Sequence, residues 1–339
     1  MSIGVLTAGG DCPGLNAAIR GVVARLTADG AEVVGVEKGW QGLMEGMHRP
    51  LGRDDVRGIL VTGGTILGTS RMDPYVHGDG FESVRATLET TGMDRLVVIG
   101  GDGSLRTAVK LQSEGLNVVG VPKTIDNDIG GTDVTFGFHT AVQIATDAID
   151  RLTTTAESHN RIMVVEVMGR TTGWIAAYAG MAGGAEAVLV PEIPYDVADL
   201  AARLRARHES GHDYSIVVVA EGAPAPSGAT RSQGLDAYGF ERLGGVGDSI
   251  AVELERLTGF ESRVMTLGYL QRGGSPVAFD RILATRLGVA AAGLALAGKY
   301  GVMVGIRGEE IVPVPLEEAC KEVRQLPSSR FDEVSWFLA

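Results

Sequence analysis

The sequence predicts an α/β protein built on parallel sheets, and three observations carry that prediction. Short β-branched apolar runs recur along the 339 residues, helical patterns lie between them, and several runs end directly in turns rich in Gly and Asp. The runs are Ile3–Leu6, Val33–Val36, Leu96–Ile99, Val118–Val121, Met163–Val167, Val188–Val190, Ile216–Val219 and Val302–Ile306. They are continuously apolar, as strands covered on both faces must be. The helical patterns are Leu15–Leu26, Leu105–Gln112, Thr140–Arg151, Val197–Arg207 and Ala284–Ala297. Ala223–Gly247, rich in Pro, Gly and Ser, interrupts the alternation and reads as a long surface loop or lid. Ligands of open parallel sheets bind at the carboxyl ends of the strands, so function belongs in the turns that follow the runs.

Composition narrows the class. With 45% hydrophobic residues the chain can bury a substantial core in one large or two medium domains. A formal charge of -12 argues against a nucleic-acid or anionic-membrane partner, because either requires a clustered basic surface. An anionic small substrate would instead need a local group of arginines. Cys12 and Cys320 are the only cysteines, which suits two free thiols in a reducing compartment. No basic-then-apolar leader opens the sequence and no apolar run approaches the ~20 residues of a membrane span, so a soluble cytoplasmic protein is expected.

Three turns carry the chemistry. Thr7–Asn16 (TAGGDCPGLN) follows the first strand and opens a helix, with Gly9 and Gly10 allowing backbone amides to approach a phosphate. Its spacing is not the G-x-G-x-x-G of a dinucleotide fold, which argues against a nicotinamide oxidoreductase. Gly100–Ser104 (GGDGS) sets Asp102 among glycines, where it can hold Mg²⁺ against a polyphosphate with Ser104 adding a hydroxyl. Pro122–Asp128 (PKTIDND) offers Thr124, Asp126 and Asp128 at alternate positions, on one side of an extended chain. Paired carboxylates there allow one to accept the proton of an attacking hydroxyl while another orients it or the metal. Any one of these turns is more often structural; three in one fold are not.

At this point the chain resembles a family. TAGGDCPGLNAAIRG, GGTILGTSR, VVIGGDGS, PKTIDNDI, VVEVMGRTTGW and QRGGSP occur in the order and at the spacings of bacterial 6-phosphofructokinases, over nearly the whole length. The resemblance implies two similar three-layer α/β/α domains with mostly parallel sheets and an active site in the cleft between them. Residues 1–137 plus 271–321 would bind the phosphoryl donor, and 138–270 plus 322–339 the fructose 6-phosphate. It further implies that Gly10, Arg71, Asp102, Gly103, Ser104 and Lys123 face the donor, with Asp102 serving Mg²⁺ and Arg71 the charge on the transferring group. Thr124, Asp126 and Asp128 would form the sugar-hydroxyl site, with Asp126 as the base. Met168, Gly169, Arg170, Glu221, Tyr269 and Arg272 would grip the sugar phosphate, and Arg161 and Arg263 would reach a neighbouring subunit's site in a homodimer or homotetramer.

The donor is decided at two positions that point different ways. ATP users of the family pair GGDG with PGTIDND, whereas pyrophosphate users place aspartate after the metal aspartate and carry PKTIDND. Here Gly103 stands with Lys123. An aspartate at 103 would crowd and repel a nucleotide's α-phosphate, so its absence predicts ATP. Tyr269, Thr107 and the Ala223–Gly247 stretch lean toward pyrophosphate, which stays as the alternative donor. The family's effector site retains Arg20 and Arg53, but Ala24, Thr153, Ser210 and His212 stand where its cations would, which predicts weak or absent effector control. A catalytically silent regulatory paralogue would have lost Asp102 or Asp126, and both are present. A related sugar such as sedoheptulose 7-phosphate would suit the same residues.

Overall fold

The structure, a computed structural model, describes residues 1–76, 78–226, 232–235 and 241–335. The chain divides into two compact units, Met1–Thr140 with Arg272–Arg324, and Ala141–Gln271 with Gln325–Ala339.

The first unit opens with β1 (Ser2–Ala8), buried along its whole length, and α1 (Leu15–Ala28). Then come β2 (Glu32–Val36), α2 (Gly39–Glu45), β3 (His48–Pro50), α3 (Gly80–Thr91), β4 (Met93–Gly100), α4 (Asp102–Ser113), β5 (Asn117–Thr124) and β6 (Phe136–Gly137). Helix α5 (Phe138–His159) carries the chain into the second unit, which holds β7 (Ile162–Val167), α6 (Trp174–Ala182), β8 (Ala187–Leu189), α7 (Val197–Glu209), β9 (Ser215–Ala220), β10 (Ser232–Leu235), β11 (Glu241–Leu243), α8 (Val246–Thr258) and β12 (Ser262–Thr266). The chain returns to the first unit with α9 (Ala278–Leu296), β13 (Val302–Arg307), β14 (Glu310–Pro315) and α10 (Leu316–Ala319), and ends its described course in the second with α11 (Ser328–Ser335).

The first unit's sheet runs β14-β13-β5-β4-β1-β2-β3, with β6 also paired to β5. Its interior pairings are parallel, and only the edge pairs β2–β3 and β13–β14 are antiparallel. Helices α1 and α9 share one face, where Gly21 and Gly288 let the two backbones meet: a Cβ at Gly288 would stand 2.3 Å from the Ala18 carbonyl oxygen. The opposite face buries Leu6, Trp40, Leu43, Val98, Leu105, Leu111 and Leu316 in one apolar cluster. Burial of that kind contributes about 1.5–3 kcal/mol for each large side chain.

The second unit has a smaller parallel sheet, β12-β7-β9-β8, and a separate antiparallel pair, β10–β11. One of its faces is closed by α7 and α8, which pack Leu200, Leu204, Ile250 and Leu254 against Val164, Val217 and Val219.

All eight strands anticipated from apolar runs are present and parallel, and all five helices are found. Two expectations change. Ala223–Gly247 is not an unstructured loop throughout, because β10 and β11 lie within it and α8 begins at Val246; its positions 227–231 and 236–240 lie outside the described residues. The stretch Thr124–Asp128 is not extended, because β5 ends at Thr124 and Asn127 takes a left-handed φ of 55°. Strand β12 escaped notice because it is mostly exposed and has no apolar run, and α6 because Trp174–Ala182 is apolar on every side and shows no helical period.

Candidate active site

Strand register brings the three glycine and aspartate turns together. Ala8 pairs with Gly100 and Gly100 with Pro122, so β1, β4 and β5 end side by side at one edge of the sheet. Neighbouring strands lie about 4.8 Å apart, which spans one or two phosphate groups across the three turns.

The first turn is fixed from below and behind. Gly9 N donates to the Ser70 carbonyl at 2.9 Å, and Thr69 Oγ1 to the Gly9 carbonyl at 2.6 Å, which places the segment before Arg71 against the turn. Lys123, only 3% exposed, points its ammonium at the Gly10 carbonyl at 2.5 Å. Burial pushes the Lys123 pKa down, and the nearby Arg272 guanidinium adds to that. Lys123 therefore serves first as a prop beneath the turn. Arg272 Nη1 donates to the Asp11 carbonyl at 3.3 Å and lies where a side chain on Gly10 would stand. The structure thus puts Arg272, expected at the sugar phosphate, beside the first turn.

The second turn starts α4 at Asp102, three residues before the helical pattern was legible. Its amino end directly follows the carboxyl end of β4, and an anion is favoured at such a helix start. Arg106 Nε donates to Asp102 Oδ2 at 2.8 Å, one helical turn away, leaving the rest of that carboxylate for a cation. Ser104 is 9% exposed beside Gly9 and Gly100. A Cβ on Gly103 would meet nothing within 4 Å.

The third turn is held by its own polar groups. Thr124 Oγ1 accepts from Asp126 N at 3.0 Å, and the Thr124 hydroxyl also binds the Asp128 carboxylate. Asn127 Oδ1 accepts from Thr135 N at 3.0 Å, and Thr135 Oγ1 donates to the Thr124 carbonyl at 2.8 Å. The coil thus gathers Thr124, Asp126 and Asp128 by folding back rather than by extension. Asp128 is pushed up to about 7, by burial first and then by the negative charges of Asp126 and Asp102.

The raised pKa, from burial first and repulsion second, gives a testable pH dependence. A folded-state pKa above the unfolded value near 3.8 means the native state binds the extra proton, so stability falls as pH rises from about 4 to about 7. Asp128→Asn removes the cost of ionisation. With chelator present, its melting temperature is expected to gain several degrees over wild type at pH 8 and little at pH 4, read by differential scanning calorimetry. Equal shifts at both pH values would overturn this account of Asp128.

The donor set suits magnesium. It consists of carboxylate and hydroxyl oxygens, Asp128 Oδ1 is buried without a hydrogen-bond partner, and the three aspartates repel one another. Among the described residues no group of three or more His, Cys, Asp or Glu could hold a metal unaided. Mg²⁺ characteristically takes one or two carboxylates and fills its shell with water and phosphate oxygens, and Asp102 fits that pattern.

In the second unit the expected sugar-phosphate residues cluster at the carboxyl ends of β7 and β9. Glu221 N donates to the Val167 carbonyl at 2.8 Å and Gly222 N to the Gly169 carbonyl at 3.1 Å, binding the Met168–Arg170 turn to Glu221. A Cβ on Gly222 would stand 1.9 Å from the Arg170 carbonyl oxygen, so only glycine allows this approach. Arg170 is exposed, and so is Tyr269, at 78%. Arg161 and Arg263 stand elsewhere. They flank Glu261 at the amino ends of β7 and β12, with Arg161 Nε 2.6 Å from Glu261 Oε2 and Arg263 bonded to the same carboxylate. Six residues of strand, about 20 Å, separate them from the Met168 turn.

Sequence reasoning missed Asn127, Thr135 and Arg324. Asn127 had a signal, since asparagine tolerates left-handed backbone better than most residues; Arg324, some 200 residues from its partners, had none.

Comparison with known proteins follows from this geometry. A family model described as phosphofructokinase matches residues 2–295. A pyrophosphate–fructose 6-phosphate 1-phosphotransferase of Amycolatopsis methanolica is 53% identical over 340 residues, 99% of each chain. ATP-dependent 6-phosphofructokinase 3 of Streptomyces coelicolor is 50% identical over 341 residues, 100% of each. Among solved structures, Pichia pastoris phosphofructokinase in the T-state superposes with a TM-score of 0.85 at 33% identity, over 99% of this chain and 37% of that one.

Proposed function

The chain belongs to the phosphofructokinase family, and from that premise we propose that it transfers the γ-phosphoryl group of ATP to the 1-hydroxyl of fructose 6-phosphate. The observation that carries this reading is the register of Ala8, Gly100 and Pro122, which lines up two phosphate turns with a turn of two carboxylates. Phosphoryl transfer asks little covalent chemistry of a protein; it asks for alignment of donor and hydroxyl and for neutralised charge.

Each residue then has a task. Asp126 accepts the proton of the attacking hydroxyl, its backbone N–H held by a hydrogen bond to Thr124 Oγ1. Asp128, near neutral pH for its own titration, orients the same hydroxyl. The α4 amides and Ser104 receive the donor phosphates, and Arg71 balances the charge on the transferring group. Asp102 would hold Mg²⁺, which neutralises donor-phosphate charge when bound. Met168, Gly169, Arg170 and Glu221 seat the sugar phosphate, with Tyr269 contributing from the turn after β12, whereas Arg272 serves the first turn, where it bonds the Asp11 carbonyl. Arg161 and Arg263 share one carboxylate between two cations and lie about 20 Å from that turn along the sheet. They serve a neighbouring subunit, so the enzyme is a homo-oligomer.

The donor reading rests on Gly103. The space beside it is open at the start of α4, which leaves room for a nucleotide, while Lys123 is occupied in supporting Gly10. Pyrophosphate is the second reading, favoured by Lys123 itself and by the activity named for the Amycolatopsis relative. Effector control is weak or absent in this reading: Thr153 Oγ1 bonds its own helix at 2.9 Å, and Ser210 and His212 bond each other at 3.2 Å, where an anionic effector would need cations. The two buried free thiols agree with a cytoplasmic location, and no helix among the described residues is long and apolar enough to cross a membrane.

The test compares ATP with pyrophosphate at fixed fructose 6-phosphate and Mg²⁺. The expected result is a kcat/KM at least tenfold higher with ATP. Turnover confined to pyrophosphate would reverse the donor assignment, and no turnover with either would leave a binding protein.

A further inference from the structure

The chain crosses from the first unit to the second for the last time between Arg324 and Gln325, and the residues on either side of that crossing are tied to the two halves of the proposed chemistry. In the first unit, Arg324 N donates to the Asp128 carbonyl at 2.9 Å and Arg324 Nη1 to the Asn127 carbonyl at 3.1 Å. One residue earlier, Val323 pairs with Ile129 in an antiparallel bridge. The segment therefore lies along the outer side of the Thr124–Asp128 coil and satisfies the carbonyls that the left-handed turn at Asn127 leaves without a strand partner.

In the second unit, Leu326 N donates to Glu192 Oε1 at 3.0 Å. The same carboxylate accepts Gly173 N, 3.0 Å from each oxygen. Gly173 closes the turn that begins at Met168 and starts α6. Glu192 thus holds the end of the sugar-phosphate turn, and the continuous strap Arg324–Gln325–Leu326 is hydrogen-bonded to Glu192 through Leu326 and to the aspartate turn through Arg324.

We propose that Arg324 is a positioning residue for Asp126 and Asp128, and that the strap to Glu192 couples the seating of the sugar phosphate to the placement of the aspartates. The proposal rests on the phosphofructokinase reading above. Arg324 touches neither substrate in this account; it acts by holding the two peptide carbonyls on either side of Asp128, and through them the coil that also carries Asp126. A guanidinium suits this task because it donates from a rigid plane, whereas a lysine offers a flexible point charge.

The two ends make different predictions. Arg324→Ala keeps the backbone bond to Asp128 but loses the one to Asn127, so kcat is expected to fall about 10- to 50-fold with KM for ATP unchanged. Arg324→Lys should recover part of that loss. Glu192→Gln keeps its shape but binds Gly173 and Leu326 less strongly, raising KM for fructose 6-phosphate several-fold. Coupling through the strap requires the double variant Arg324→Ala/Glu192→Gln to lose less kcat/KM than the product of the single losses, a shortfall of about threefold or more.

Melting temperatures of all variants accompany the kinetics. Wild-type turnover with ATP or pyrophosphate tests the family reading independently. If wild type is active and Arg324→Ala changes only its melting temperature, Arg324 is structural and the proposal is overturned. If the two losses multiply fully, positioning by Arg324 survives and the coupling is refuted.

Discussion

Asp126→Asn is expected to lower kcat about 10³-fold, a barrier increase of about 4 kcal/mol, while fructose 6-phosphate binding changes less than threefold. The change keeps the side chain's size and removes only its capacity to take a proton. The hydrogen bond from Asp126 N to Thr124 Oγ1 involves the backbone and survives, so the coil should hold its shape. Loss of one charge also relieves Asp128, whose pKa is raised partly by Asp126. Stability should therefore not fall. Rapid-quench measurement of kcat with calorimetric titration of the sugar phosphate checks both halves; a parallel loss of binding and turnover would make Asp126 a structural residue.

Gly103→Asp is expected to reduce kcat/KM for ATP about 100-fold, close to 3 kcal/mol, with pyrophosphate affected least. A Cβ at Gly103 meets nothing within 4 Å, and an acid in the first turn of a helix is electrostatically favourable, so folding has no reason to suffer. The added carboxylate stands next to Asp102 and would repel any phosphate group beyond those the two turns are proposed to receive. ATP presents three phosphates and pyrophosphate two, which is why the loss should depend on donor. An unchanged kcat/KM for ATP would remove Gly103 from the donor decision.

Much of the fold was legible because parallel strands buried on both faces write themselves as unbroken apolar runs, from Ile3–Leu6 to Val302–Ile306. Edge elements obey no such constraint. Strand β12 carries Arg263, Met265 and Thr266 into solvent, and β14 contains two prolines, so neither shows an apolar run. In the site, Asp102, Asp126 and Asp128 could be read because acids among glycines after a strand are chemically conspicuous. Their local geometry could not. The coil at Thr124–Asp128 depends on Thr135, Asn127 and Arg324, and hydrogen bonds between residues 8 to 197 positions apart leave no periodic trace. Lys123 shows the same limit from the other side: its charge was readable, but its burial beneath Gly10 was not.

The first unit is assembled from two separated stretches of chain, and this has a consequence for the order of biosynthesis. Strand β13 pairs with β5, and α9 covers the sheet against α1, yet both follow the whole of Ala141–Gln271. A nascent chain emerging from its amino end therefore presents β1, β4 and β5 with one sheet face covered by α1 without α9 and the β5 edge without β13. The intervening segment can collapse around its own four-stranded sheet while that face waits. Only when the residues after Gln271 emerge does the sheet gain β13 and α9, so the first unit acquires this part of its fold after the Ala141–Gln271 segment of the second has been made.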